Sequence, residues 1–174
     1  KGARRLVDLL RLLVALGGRR VDVERLVMVH WADADGQDAG VAALKAAVHR
    51  VRALLGADAV ALHGGQLGFD DRAVWLDTWA FEDVGARIES LLAPTPGHRV
   101  DDGALAGARL QLLALYRGHL FGDADVPSWA AAMRDRLRAR FVRCIELLGR
   151  RLQDRGRLNE AADLYLAALE RDAL

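Results

Sequence analysis

The 174-residue sequence has almost no cysteine, no long uncharged apolar run and almost no net charge. Its only cysteine, Cys144, excludes an internal disulfide and a cysteine-based zinc site, and it fits a reducing cytoplasm. No stretch approaches the roughly 20 uncharged apolar residues that a membrane span requires. Asp8 and Arg11 interrupt the Leu-rich N-terminal run, which favours an amphipathic helix over a signal peptide. We therefore expect a cytoplasmic protein with no membrane partner.

The net charge of +1 is also evenly spread. Residues 1–92 carry 12 Lys/Arg against 13 Asp/Glu, and the remainder carries 13 against 11. This balance disfavours strong, indiscriminate binding to nucleic acid. A hydrophobic fraction of 52%, with 28% charged residues scattered throughout, predicts a globular fold. Because the chain starts at Lys1 and not at Met, we expect it to be a piece of a longer protein.

Motifs that carry chemistry are missing as well. There is no glycine-rich phosphate loop, and Cys144 lies on a predicted apolar stripe, which favours a core residue over a nucleophile. His30 and the acidic segment Asp33-Ala34-Asp35-Gly36 resemble a metal site, but a calcium loop needs glycine and glutamate where Asp38 and Leu44 stand. We interpret the segment as a turn, and we expect no enzyme activity, metal or cofactor.

Apolar residues at helical spacing predict seven helices. Six of them span residues 3–16, 39–55, 78–92, 103–116, 127–155 and 159–170. The remaining helix is short, is capped by Asp22, and has Leu26, Val27 and Trp31 on its apolar side. The segment at 93–97 is the clearest break in the chain.

Between the third and fourth helices the period becomes strand-like. The Gly64-Gly65 pair between Val60–His63 and Gln66–Phe69 predicts a β-hairpin, and residues 74–76 predict one more short strand. Three helices with short connections are typical of a helix-turn-helix, and a hairpin directly after the third is typical of a wing. On the third helix we expect a buried stripe of Val41, Leu44, Val48, Val51 and Leu55.

Several strings carry a family resemblance through their order and spacing. They are Gly17-Gly18-Arg19-Arg20-Val21, Trp31 before the acidic turn, 48–56 (VHRVRALLG), 74–82 (VWLDTWAFE), 116–122 (YRGHLFG), then Trp129, Arg134, Leu137 and Phe141, and finally 156–169 (GRLNEAADLYLAAL). Together they resemble the bacterial transcriptional activator domain behind a winged helix of the OmpR type, as in antibiotic-regulatory activators and related multidomain regulators.

The resemblance implies a mostly α fold with a small β wing. Residues 1–77 would form a winged helix-turn-helix without the family's N-terminal strands, and residues 78–174 an all-helical module like the tetratricopeptide (TPR) repeat. Where His119 stands, the family usually has an acidic residue.

A DNA reader of this type would use the exposed face of its third helix. Candidate DNA-binding residues are Lys45, His49, Arg50 and Arg52 on that helix, Arg19 and Arg20 before the second helix, and His63 on the wing. Base edges are normally contacted by Arg, Lys, Asn, Gln, Ser or Thr. Because residues 41–55 contain no Asn, Gln, Ser or Thr, we expect each domain to bind double-stranded DNA weakly.

These observations predict a transcriptional regulator that binds DNA through its winged helix and contacts a protein partner, or itself, through its helical module. The alternative is a protein-interaction scaffold whose winged helix no longer binds DNA.

Two further surfaces of the helical module have open interpretations. The arginine-rich run 134–143 is either a solvated surface with some ion pairs or a docking surface for an acidic partner. We expect the apolar face with Leu164, Leu166, Leu169 and Leu174 to be covered by further repeats or by a second copy.

Overall fold

A computed structural model describes residues 2–93, 100–122 and 127–172, and within them the chain forms seven helices and one small sheet. The elements are α1 (Gly2–Ala15), β1 (Val21–Asp22), α2 (Val23–His30), α3 (Gln37–Leu55), β2 (Val60–His63), β3 (Gln66–Phe69), α4 (Asp77–Leu91), α5 (Asp102–Leu115), α6 (Ser128–Asp154) and α7 (Leu158–Leu169). The predicted mostly helical chain with a small sheet is confirmed, and the helix ends differ from prediction by one or two residues. Residues 94–97 of the predicted break, and Leu174, lie outside the described residues.

The chain divides into two compact units. The first unit comprises Lys1–Trp75 and Pro127–Met133, and thus contains α1 to α3, the sheet and the first turn of α6. The second unit comprises Leu76–Val126 and Arg134–Leu174, and thus contains α4, α5, most of α6 and α7.

Leucine and valine side chains at helical spacing build the core of the first unit. Its most deeply buried members are Leu9, Leu12, Leu13, Leu26, Leu44, Val48, Val51 and Leu67. Each such side chain stabilises the fold by roughly 1.5–3 kcal/mol when fully buried. Trp31 is only 7% exposed and meets His30 edge to face, which confirms its predicted burial after the second helix.

The sheet is antiparallel, with strand order β1–β3–β2. The hairpin prediction is confirmed: Val60 pairs with Phe69 and His63 with Gln66, and both turn glycines have positive φ. The predicted strand at 74–76 is wrong. The backbone amides of Ala73 and Val74 bond to the Asp70 carbonyl and make a turn instead. The open edge of β3 is taken by β1, which lies between α1 and α2.

Two expectations for the first unit are wrong in detail. Leu55 is 55% exposed because it is the last residue of α3, beyond the part of the stripe that the core covers. Asp22 occupies the N-cap position of α2, but its side chain makes no capping bond. Its carboxylate instead accepts a hydrogen bond from Gln66 Nε2 at 3.3 Å, joining β1 to β3.

The second unit is centred on aromatic contacts. Tyr116 stacks on Phe141 with ring centroids 3.9 Å apart, and Phe81 lies 5.7 Å from Tyr116 on the centroids. The apolar spacing of residues 127–155 predicts a buried side of Trp129, Met133, Leu137, Phe141, Cys144, Ile145, Leu148 and Leu152. This side is confirmed from Met133 to Leu152, whereas Trp129, in the first turn of α6, is only partly buried. Cys144 is fully buried in this core, as predicted, and burial raises the pKa of its thiol to about 11.

Candidate nucleic-acid interface

The outward face of α3 carries three of the predicted DNA-binding residues. Lys45, His49 and Arg50 are exposed, while Leu44, Val48 and Val51 hold the opposite face in the core. Lys45 and His49 are four residues apart and therefore share one side of the helix. Arg50 lies on the other flank, since each residue advances the helix by about 100°. The exposed positions between these cations are the alanines 42, 46 and 53.

Arg52 differs from the other three cations of α3. Its Nε and Nη2 donate hydrogen bonds of 3.1 and 3.0 Å to the backbone carbonyl of Val60, and the interaction is part-buried. Val60 is the first residue of β2 and is itself buried. The guanidinium therefore connects the last turn of α3 to the first strand of the hairpin. Two of its five N–H donors are used in this contact.

The turn of the hairpin is fixed as well. The backbone amide of Val23, at the start of α2, donates a 2.9 Å hydrogen bond to the carbonyl of Gly65. His63 precedes that turn and its side chain is exposed. The hairpin turn next to His63, the one wing residue predicted to contact DNA, is thus hydrogen-bonded to the first residue of α2.

Arg19 and Arg20 lie with His63, away from the α3 cations. The three line one shallow groove beside the sheet, together with Asp70, Asp71 and Arg72. Arg19 forms an ion pair of 3.4 Å with Asp71. The side-chain hydrogen bond from Arg72 holds the pKa of Asp70 well below its usual range, at about 2, so this groove carries ionised carboxylates beside its cations. It contains no residue of α3 among its lining side chains.

Sequence reasoning missed two exposed residues that share a groove with the wing turn. Gln37 is the first residue of α3, and Arg25 lies on α2; both line a groove that also contains Gly65. Gln37 was missed because the predicted helix began at residue 39 and base-reading side chains were sought from residue 41. Glycine is one of the residues found at helix N-caps, so Gly36 is the sequence signal that allows the helix to begin at residue 37. Arg25 was not among the residues predicted from the sequence.

Two of the residues that resemble metal ligands in the sequence, His30 and Asp33, have structural partners. His30 Nε2 lies 2.9 Å from the carbonyl oxygen of Arg5, and the Arg5 guanidinium pairs with Asp33 at 2.7 Å. Both contacts hold the turn after α2 against α1. In the part of the chain that the structure describes, no three His, Cys, Asp or Glu side chains are grouped as a metal site.

The arginine-rich run of α6 meets carboxylates of its own unit. Arg136 pairs with Glu82 at 2.8 Å, and both Arg140 and Arg143 pair with Glu89. Arg138 donates through Nε to both oxygens of Asp172 at 3.0 Å. These ion pairs connect the arginine-rich part of α6 to α4 and to Asp172, which follows α7.

No protein-family model matches the chain, and no curated protein matches it. Over the described ranges 2–93, 100–122 and 127–172, none of the helices combines the length and the apolar character needed to cross a bilayer.

Proposed function

We propose that the first unit is a winged helix-turn-helix that binds double-stranded DNA with α3 in the major groove, and that the second is a TPR-like module for protein contacts. The observation that carries the proposal is α3: a helix of 19 residues with a buried apolar side and with Gln37, Lys45, His49 and Arg50 exposed. Helix-turn-helix proteins contact base edges mainly from the N-terminal part of the recognition helix.

The order of elements supports this proposal. A helix, a short strand, two helices and a hairpin follow one another, and the first strand completes the sheet beside β3. This is the arrangement expected of a winged helix, in which α2 crosses the DNA backbone and the hairpin contacts it beside α3. Arg25 on α2 and His63 on the hairpin would then serve phosphates, which fix orientation and carry no sequence information.

Small residues on α6 and α7 support the TPR-like interpretation of the second unit. Gly149 leaves space that the ring of Tyr165 fills, and Ala161 and Ala168 are buried on α7. Close approach of paired helices through small residues is typical of helical repeats. On the same helix, Leu166 and Leu169 are about 60% exposed, a surface suited to a protein partner or to self-association.

The test is a fluorescence-anisotropy titration of the full chain on a labelled random-sequence DNA duplex, followed by selection of preferred sequences. We expect Lys45→Ala and Arg50→Ala each to weaken binding by about 1–3 kcal/mol if the contact is to a base. Arg150→Ala is the matched control, because Arg150 is an exposed arginine of α6 in the second unit. We expect Gln37→Ala to relax sequence preference while changing affinity for the random duplex little.

The alternative is a protein scaffold whose winged helix does not bind DNA. The three exposed alanines on the outer face of α3 favour it, because alanine offers neither a phosphate nor a polar base contact. Absence of binding at low salt, with the fold intact by circular dichroism, would select the scaffold over the DNA reader. Fold-level resemblance alone does not decide between the two.

A further inference from the structure

Arginines of α5, of α6 and of the short segment between α6 and α7 line a narrow groove in the second unit. We call it the arginine groove, lined by Asp102 and Arg109 of α5, Arg151 of α6, and Arg155 and Arg157 of the connecting segment. It lies wholly within the second unit and contains none of the proposed DNA-binding residues. Its function therefore does not depend on the DNA proposal.

The positive charge in the groove exceeds the negative charge. Asp102 pairs with Arg151 at 3.0 Å and with Arg155 at 3.3 Å. Glu160 takes both hydrogen bonds of Arg157, at 2.6 and 2.7 Å, and lies 3.7 Å from Arg109. Arginine partners lower the pKa of both carboxyl groups, so each counts as one negative charge. Four guanidiniums against two carboxylates leave two positive charges.

Two further acidic residues close in sequence, Asp101 and Asp154, are not among the residues that line the groove. The carboxylate of Asp101 caps α5 and accepts hydrogen bonds from the backbone amides of Gly103 and Ala104.

Donors remain for a ligand. Among the described residues, the buried Nε of Arg151 has no hydrogen-bond acceptor. Within the same ranges Arg155 makes one ion pair, at 3.3 Å, and the 3.7 Å pair of Arg109 is longer than a hydrogen bond. A buried donor left without an acceptor is destabilising, so an anion that reaches these three side chains would gain charge-assisted hydrogen bonds.

The size of the groove limits the ligand. The buried side chains of Leu105, Leu148 and Leu152 line it, and its open space is about 30 Å³. That is room for a few non-hydrogen atoms. A nucleobase or an acidic peptide side chain with its backbone would remain outside this space, so only a small anionic group can reach the arginines.

We propose that the arginine groove binds a phosphate-class dianion, either free phosphate or the phosphate group of a small monoester, through Arg109, Arg151 and Arg155. Guanidinium forks match the oxygens of phosphate in pairs, which favours this ligand over a monovalent ion such as chloride.

The experiment is isothermal titration calorimetry of the full chain at constant ionic strength, with inorganic phosphate in one arm and adenosine monophosphate in another. Chloride replaces phosphate in the reference titration. Saturable one-site binding of either phosphate compound supports the proposal. Tighter binding of the monophosphate assigns a monoester, and equal binding assigns the free ion. Absence of saturable binding in both arms overturns the proposal.

Variants locate the site. We expect Arg155→Ala to weaken phosphate binding by about tenfold or more, the equivalent of one lost charge-assisted contact. Arg150→Ala removes the same charge from an exposed position of α6 outside the groove, and we expect a change within about twofold. Arg155→Lys keeps the charge but not the fork, and serves if Arg155→Ala does not fold. Equal effects of Arg150→Ala and Arg155→Ala would overturn the assignment of the site.

Discussion

Arg50 and Arg52 are two residues apart on α3, yet their guanidinium groups have different surroundings. Arg50 is exposed, whereas Arg52 donates two hydrogen bonds to the carbonyl of Val60 at the start of the hairpin. The sequence predicted both as DNA-binding residues, because helical periodicity gives the direction of a side chain and not the position of a later strand. We now assign to Arg52 the positioning of the hairpin relative to α3.

We expect Arg52→Ala to lower the free energy of unfolding of the first unit by about 1–3 kcal/mol, because it leaves a part-buried carbonyl without its donors. Arg50→Ala, the matched control, should change that free energy by no more than about 0.5 kcal/mol. Urea unfolding of both variants measures the difference. Equal destabilisation of the two would show that the Val60 contact contributes nothing beyond an ordinary surface arginine.

The surroundings of Tyr116 lead us to expect that the second unit loses stability at alkaline pH. Its hydroxyl donates a 3.2 Å hydrogen bond to Asp172, and burial, followed by the charge of Asp172, raises its pKa from 10.0 to about 12. A raised pKa means that the folded state favours the protonated phenol. This stabilisation is complete below pH 10 and is lost as the pH rises through 12.

We therefore expect the free energy of unfolding of the wild-type protein, measured in urea, to fall between pH 10 and 12. This fall should be about 2–3 kcal/mol larger than in Tyr116→Phe. Taking the difference between the two proteins cancels contributions from other groups, including Cys144. Tyr165→Phe is the control, because it removes a phenol hydroxyl from the same unit without touching the contact with Asp172. If the curves of wild type and Tyr116→Phe run parallel, the phenol does not titrate in the way its surroundings require.

At the same site lies His119, where the sequence resemblance leads to the expectation of an acidic residue. Its Nδ1 lies 3.9 Å from the Asp172 carboxylate. An acidic side chain there would face Asp172 and repel it. The departure could be seen in the sequence, but its partner could not, because Asp172 is 53 positions away and only the fold brings the two together.

Among the elements, the long ones were predictable and the shortest was not. Helical periodicity over ten or more residues identified six helices because the signal accumulates along the length. β1 has only two residues, too few for a period, and it exists because the edge of β3 supplies its hydrogen bonds. The sequence predicted one more short strand at residues 74–76, but the 71% exposed indole of Trp75 follows a turn. Short strands depend on their partners more than on their own residues.

The α6–α7 contact allows a test with two glycines. A methyl group at Gly149 would overlap the phenol ring of Tyr165, whereas nothing lies within 4 Å of the same position at Gly107 of α5. We expect Gly149→Ala to destabilise the second unit by about 1–3 kcal/mol through overpacking. Gly107→Ala should stabilise it by about 0.5–1 kcal/mol, because alanine is the better helix former. Thermal unfolding of both variants measures these opposite shifts. Stabilisation by both would mean that the helices do not approach closely at Gly149.

At the scale of the whole molecule, net charge alone gave an incomplete view of the proposed DNA-binding unit. The first unit has 11 Lys/Arg against 9 Asp/Glu, a weak excess. Three of the acidic residues, Asp33, Asp35 and Asp38, follow one another around the start of α3, where they oppose phosphate binding. The sequence gives these numbers, whereas the fold determines which cations share a surface: Lys45 and Arg50 on α3, Arg19 and Arg20 beside the sheet.

This distribution predicts how DNA binding should depend on salt. With three or four cations available to phosphates, the slope of log K against log salt should be about −3, since each neutralised phosphate contributes about −0.9. Lys45→Ala should reduce the magnitude of that slope by about 1, whereas Arg150→Ala in the second unit should leave it unchanged. Anisotropy titrations over a range of salt concentrations measure both slopes. A slope steeper than about −6 would require more phosphate contacts than the three or four cations proposed here, and would contradict the proposed interface.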